Sequence, residues 1–214
     1  MNYIRTYGRI RCRSFNKSIM IDNKFLYKNF DIQKINTIKN KNLTLEIGFG
    51  NGEVLFHRSN LKNQQINIGV DVYENGICKI LKKIDINHNE NIIIFNMDGR
   101  DFLLNAIKEK IFFKEIYILF PDPWHKKSEK KREKKRLINE NFLKNIKDIL
   151  QQDGSLYFAT DHLDYYNNVK NILLQLNLSI QKETVNEYIN ENFTLSNYEK
   201  KATNDRYYLL CTKN

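Results

Sequence analysis

The chain has 214 residues, 41% of them hydrophobic and 12% aromatic, and its 35 Lys and Arg against 25 Asp and Glu give a net charge of +10. That apolar content supports a packed core and excludes wholesale disorder, and no apolar run approaches the roughly 20 residues of a membrane-spanning helix. The three cysteines, Cys12, Cys78 and Cys211, form no C-x-x-C pair, so they read as reduced thiols of a cytoplasmic protein without a metal site, and the basic balance favours an anionic partner, nucleic acid first.

Residues 1–40 carry Arg5, Arg9, Arg11, Arg13 and Lys17, interleaved with Tyr3, Tyr7 and Phe15. Their periodicity is poor, which predicts a mostly irregular basic arm ahead of a single domain over 41–214. Arginine dominates here in a chain otherwise rich in lysine. Guanidinium forks suit phosphate, and rings stack on bases.

From residue 43 the texture changes. The run 43–47 reads as a strand, and Gly48-Phe49-Gly50-Asn51-Gly52 follows directly, opening a helix at Glu53. Strand 66–72, helix 74–83, strand 91–96, helix 99–110 and strand 115–120 come next. Beyond a charged run, helix 137–150 leads into strand 155–160 and helix 163–176 into strand 178–185. A looser stretch, 186–205, precedes a last strand, 207–212. Strands alternating with helices imply parallel pairing and right-handed crossovers, hence an α/β class with a doubly wound, mostly parallel, Rossmann-like sheet.

Glycines after a first strand let the chain turn tightly and let a ligand approach the backbone at a helix N-terminus. The G-x-G-x-G spacing departs from the dinucleotide fingerprint, whose third glycine comes one residue later, and no phosphate-gripping lysine follows. An acid series accompanies it. Glu46 lies in the first strand, Asp71 near the end of the second, Asp98 closes the third and Asp122 the fourth. Ligands of such sheets bind at the carboxyl ends of the strands. Four carboxylates there favour a ligand with hydroxyl and amino groups over one with phosphates, and S-adenosylmethionine fits. Taken singly, Asp71 and Asp98 also suit helix capping.

Both prolines and the only tryptophan fall within Phe120-Pro121-Asp122-Pro123-Trp124-His125-Lys126-Lys127. Each proline lacks an N–H and pushes its predecessor into an extended conformation, so the fourth strand must end in a stiff loop that carries Asp122. Between Lys126 and Arg136 eight basic residues and two acids, Glu129 and Glu133, follow. Next to the carboxyl-end crevice, this run suits a docking polyanion.

These residues bring a family into view: the chain resembles the bacterial tRNA (guanine-N7-)-methyltransferases over nearly its whole length. Glu46 to Glu53 is similar to that family's cofactor loop, and Gly69-Val-Asp-Val-Tyr-Glu74 to its ribose-binding strand, with Asp71 where Glu is usual. Phe120 to Lys126 together with Lys134-Lys-Arg136 resembles its signature loop. Ala159-Thr-Asp-His162 matches a further block, and Ser196-Asn-Tyr-Glu199 resembles a Thr-Lys-Tyr-Glu motif, with Ser196 and Asn197 replacing Thr and Lys. The resemblance implies that Glu46, Gly48, Gly50, Gly52, Asp71, Asp98 and Asp122 meet S-adenosylmethionine, with Asp122 also catalytic. It implies that Lys126, Asp161, Ser196, Asn197, Tyr198 and Glu199 meet the substrate, a tRNA guanine of the variable loop. Guanine N7 already carries a lone pair, so transfer needs no general base; a fixed carboxylate beside the developing cation is the useful group. The expected partner is tRNA, with no membrane and a monomer or homodimer. A small-molecule methyltransferase and a catalytically idle RNA-binding protein are the competing readings.

Overall fold

The computed structural model describes residues 23–123 and 136–213. Its elements run β1 (Leu26–Tyr27), α1 (Ile32–Ile38), β2 (Leu43–Ile47), α2 (Glu53–Leu61), β3 (Ile66–Asp71), α3 (Glu74–Asn87), β4 (Ile92–Asn96), α4 (Gly99–Lys108), β5 (Phe113–Leu119), α5 (Glu140–Ile149), β6 (Leu150–Thr160), α6 (Leu163–Gln175), β7 (Leu178–Val185) and β8 (Tyr207–Lys213). One sheet holds all eight strands in the order β1-β4-β3-β2-β5-β6-β8-β7. Pairing is parallel from β1 to β6, while β8 inserts antiparallel between β6 and β7. The fold is therefore α/β with a mostly parallel, doubly wound sheet, as the alternating pattern predicts.

Strand alternation sorts the core into layers. On β4, Ile93 and Phe95 face a cluster built with α1, α4, α5 and α6, whereas Ile92 and Ile94 face α2 and α3. On β2, Leu43, Leu45 and Ile47 join the first cluster, which turns Thr44 and Glu46 toward α2. Beside α2 on that second face, β5, β6 and β8 are covered by residues 188–193 through an aromatic cluster. There Tyr117 and Tyr157 stack 4.4 Å apart at 3°, with Phe193 edge-on to both and Tyr208 edge-on to Phe193 in turn.

Four local features depart from the expected boundaries. Part of the stretch read as an irregular arm is built into the domain. β1 pairs with β4, and α1 is capped by Asp31, whose side chain accepts from the Lys34 N–H, so that Ile35 and Ile38 are buried. Helix α3 continues to Asn87, where His88 ends it in a left-handed turn at φ 54°. Helix α5 starts at Glu140 because Asn139 caps it, accepting from the Phe142 N–H. Strand β6 begins at Leu150, with its polar first residues set off from the main ladder by a register shift. Among the described residues no helix is long and apolar enough to cross a membrane.

Strand order reverses between β2 and β5, whose partners lie on opposite sides. In open α/β sheets the crevice outside the carboxyl ends of two such strands is the ligand site. The glycine loop after β2 and the Pro-Asp-Pro loop after β5 flank it.

Candidate active site

Gly48, Gly50 and Gly52 all take left-handed φ values, 76°, 58° and 75°, closing the turn from β2 into α2. The Gly48 N–H donates to the Val70 carbonyl at 2.8 Å and the Gly52 N–H to that of Phe49 at 2.9 Å. A Cβ on Gly48 or Gly50 would meet nothing within 4 Å. Glycine is thus required there by conformation, and the space above both residues is open. Behind the loop the opposite holds. A Cβ on Gly76, in the first turn of α3, would sit 1.8 Å from the Gly50 carbonyl oxygen, so α3 can support the loop only through a glycine. Gly76 is a supporting residue that the spacing of the loop glycines did not reveal.

Asp71, the last residue of β3, turns its carboxylate into this loop. Oδ2 accepts from the Gly50 N–H at 2.8 Å and Oδ1 from the Tyr73 N–H at 2.9 Å. Burial pushes its carboxyl up, the backbone donors pull it down, and the charge of Asp122 adds to the rise. Asp71 and Asp122 therefore share one electrostatic environment across the crevice. Asp98 caps α4, accepting from the Arg100 N–H at 2.8 Å.

Glu46 lies deeper, 3% exposed, beneath the loop. Arg58 on α2, fully buried, donates from Nη1 to Glu46 Oε2 at 3.1 Å and from Nε to Asn67 Oδ1 at 3.2 Å. Its guanidinium lies 3.9 Å from the centre of the Tyr117 ring, and Nη2 has no partner among the described residues. Burial drives the Glu46 carboxyl up to about 7, against the charge and hydrogen bond of Arg58. Glu46 also lines a cavity of about 120 Å³ shared with Gly48, Glu53, Ser196, Tyr198 and Glu199. Arg58 is the second residue that sequence reasoning missed. The signal was the placement of Thr44 and Glu46 on one face of an otherwise apolar strand.

At the end of β5 the chain makes an unusual turn. Phe120, expected to be extended because Pro121 follows it, is instead left-handed at φ 49°, and its N–H donates to the Ala159 carbonyl at 2.7 Å. A bulky residue at positive φ is strained, and such strain persists only where the surroundings enforce it. Asp122 is exposed, and partial desolvation holds its carboxyl above the usual range. Arg136, 8% exposed, fastens the far end of the loop. Its Nε donates to the Pro123 carbonyl at 2.9 Å and its guanidinium lies 4.7 Å from the Tyr165 ring centre. Lys126, like the rest of 124–135, lies outside the described residues.

The remaining expected substrate residues come together on the other wall. Glu199 is buried and engaged: Oε2 accepts from the N–H and hydroxyl of Ser196 at 3.0 and 2.8 Å, and Oε1 from Tyr208 at 2.6 Å. Asn197 Nδ2 donates to Glu53 Oε1 at 2.6 Å, tying the segment to the start of α2. Tyr198 is exposed and donates from its hydroxyl to Asp161 Oδ2 at 3.0 Å. Ser196 and Glu199 thus hold the segment, while Tyr198 and Asp161 face the crevice.

The open space over Gly48 and Gly50, bordered by the Asp71 carboxylate, fits S-adenosylmethionine. Its ribose hydroxyls need acceptors and its ammonium and sulfonium groups need negative charge.

Comparison with known proteins agrees. A family model described as "Putative methyltransferase" matches residues 40–210. The chain is 33% identical over 206 residues to a "Bifunctional methyltransferase" of Rickettsia conorii, covering 94% of this chain and 38% of that protein. It is 31% identical over 203 residues to a "tRNA (guanine-N(7)-)-methyltransferase" of Neorickettsia sennetsu, covering 94% of this chain and 87% of that one. The chain thus spans well under half of the bifunctional relative and most of the other. Among solved structures, one titled "Structure of an Antibiotic Related Methyltransferase" superposes with a TM-score of 0.62 at 20% identity, over 87% of this chain and 95% of that chain. That likeness supports the fold alone.

Proposed function

Because the chain belongs to the tRNA (guanine-N7-)-methyltransferase family, which depends on S-adenosylmethionine, we propose that it methylates N7 of a tRNA guanine, in the variable loop, with Asp122 as the group that stabilises the cationic transition state. The observation that carries this reading is the position of Asp122: exposed, clamped between two prolines, and within electrostatic reach of Asp71 on the opposite side of the switch point.

S-adenosylmethionine supplies a methyl group bound to a sulfonium, which a lone pair displaces without prior proton removal. The protein residues orient and stabilise. Gly48, Gly50 and Gly52 shape the floor of the cofactor site, Asp71 offers acceptors to ribose hydroxyls, and Asp98 and Glu46 complete its acidic border. Guanine becomes cationic as N7 gains the methyl, so a fixed carboxylate favours the transition state over the ground state. Asp122 meets that requirement with no reorganisation, because Pro121 and Pro123 stiffen its loop and Arg136 fastens its end. Asp161 accepts from N1–H and the 2-amino group of guanine, an edge that adenine lacks. Lys126 and its basic neighbours take the phosphates, where point charges suffice.

The test is methylation of unmodified tRNA by the purified protein with labelled cofactor, followed by nucleoside analysis. Label in 7-methylguanosine is expected. Label at another atom, or none in tRNA, overturns the reading.

A further inference from the structure

Tyr198 joins two features of the crevice, the Asp161 carboxylate and the Phe120 ring. Its hydroxyl donates to Asp161 Oδ2 at 3.0 Å, and its ring lies 5.2 Å from that of Phe120 at 32°. Phe120 is itself fixed by its left-handed backbone, its N–H on the Ala159 carbonyl, and an edge contact with Tyr208 at 5.9 Å. Either side of Tyr198 the chain is tied down, by Asn197 to Glu53 and by Glu199 under Ser196 and Tyr208. Yet Tyr198 keeps 45% of its surface exposed, far more than a side chain recruited only to the core would. Burial first, then the charge of Asp161 and the hydrogen bond to it, then Asp122, push the phenol far above its ordinary value, so it stays a neutral donor. Among the described residues nothing hydrogen-bonds to Asp161 Oδ1.

We propose that Tyr198 is a positioning residue for base specificity: its hydroxyl sets the plane of the Asp161 carboxylate so that this carboxylate reads the N1–H and 2-amino edge of the guanine. The inference rests on the guanine reading given above and adds the residue that makes it selective. A carboxylate offers about four lone-pair sites, and the phenol takes one of them on Oδ2. Two parallel N–H donors on a base edge require both oxygens in the plane of the base. A carboxylate free to rotate about its own axis meets that demand in only part of its population. Held by Tyr198, with the ring braced on Phe120, it is oriented before the base arrives. A base lacking either donor then leaves an oriented acceptor unpaired, which is the efficient form of rejection.

Tyr198→Phe removes the hydroxyl and keeps the ring on Phe120, so folding is preserved. Once the guanosine that the wild-type protein methylates has been mapped, tRNA is prepared by ligation with guanosine or with inosine, which lacks the 2-amino group, at that position. Wild type is expected to prefer guanosine. In Tyr198→Phe, kcat/KM for guanosine tRNA falls about tenfold, the worth of one oriented hydrogen bond, mainly through KM, and the guanosine-to-inosine ratio moves toward one. A variant with unchanged kcat/KM and ratio overturns the inference. Equal loss on both substrates also overturns it, because Tyr198 would then be a general brace. Failure of the wild-type protein to methylate guanine N7 is seen before any variant is made and defeats the underlying reading instead.

Discussion

Replacing Glu46 with Gln separates the charge of the buried carboxylate from its shape. Burial raises the Glu46 carboxyl from 4.5 to about 7, Arg58 opposes the rise, and Asp71 and Glu53 add to it. Because the folded value lies above the unfolded one, the folded chain holds this proton more tightly. The associated stability is fully present below 4.5 and is lost as pH climbs through about 7. Over that window the rise from 4.5 to about 7 corresponds to about 3 kcal/mol. For a domain of this size that is a shift in Tm on the order of 10 °C. Glu46→Gln has no such titration and shares every other group, so wild type should lose Tm relative to the variant between about pH 5 and about pH 8. Calorimetric binding of S-adenosylmethionine supplies the second readout. Wild-type affinity should weaken below about pH 7 by up to about tenfold per pH unit as the carboxylate is protonated, and the variant should lack this step near neutrality. Parallel curves for the two proteins in both assays would refute the assignment of a proton to Glu46 near neutrality.

Asp122→Asn should lower the single-turnover methylation rate by about 10²–10³-fold, the usual loss on removing one preorganised electrostatic group, while filter binding of tRNA is retained. Gly76→Ala places a Cβ 1.8 Å from the Gly50 carbonyl; the overpacking should cost about 1–3 kcal/mol in thermal unfolding and weaken cofactor binding, because the loop must move. Lys126→Ala with Lys127→Ala should weaken tRNA binding and reduce the slope of log K against log salt by about 2, with the rate at saturating tRNA little changed.

The sheet was legible because local and tertiary demands agree along most of it. The apolar runs of β2 to β5 are short and end near glycines, acids or prolines that favour turns and caps. What escaped was set by pairing at a distance. In the stretch assigned to an arm, Asp31, Ile32, Ile35 and Ile38 carry a cap and a helical apolar spacing, but only seven residues of helix result, held by packing of Ile35 and Ile38. The first half of β6 reads as a turn, since Gln151, Gln152 and Asp153 are polar and Gly154 follows, and Asp153 is indeed left-handed at φ 57° within the strand. The insertion of β8 between β6 and β7 has no local signature at all. Within the site, the acids could be found from strand ends, whereas Arg58 could not: a charged residue on a short helix defaults to the surface. Only the unpaired demand of Glu46 and Thr44, facing inward from β2, required a buried cation there.

The basic run likewise divides into parts. Read from charge alone, Lys126 to Arg136 is one cationic surface, and the two glutamates within it only dilute that surface. Arg136 is different in kind. It is buried, donates to the Pro123 carbonyl and lies over Tyr165, so its charge is spent on the loop that carries Asp122. The end of the run is thereby fastened to the carboxylate proposed to act on the base. On this view the prolines stiffen the acid, the terminal arginine anchors the loop, and only the residues between them answer to salt.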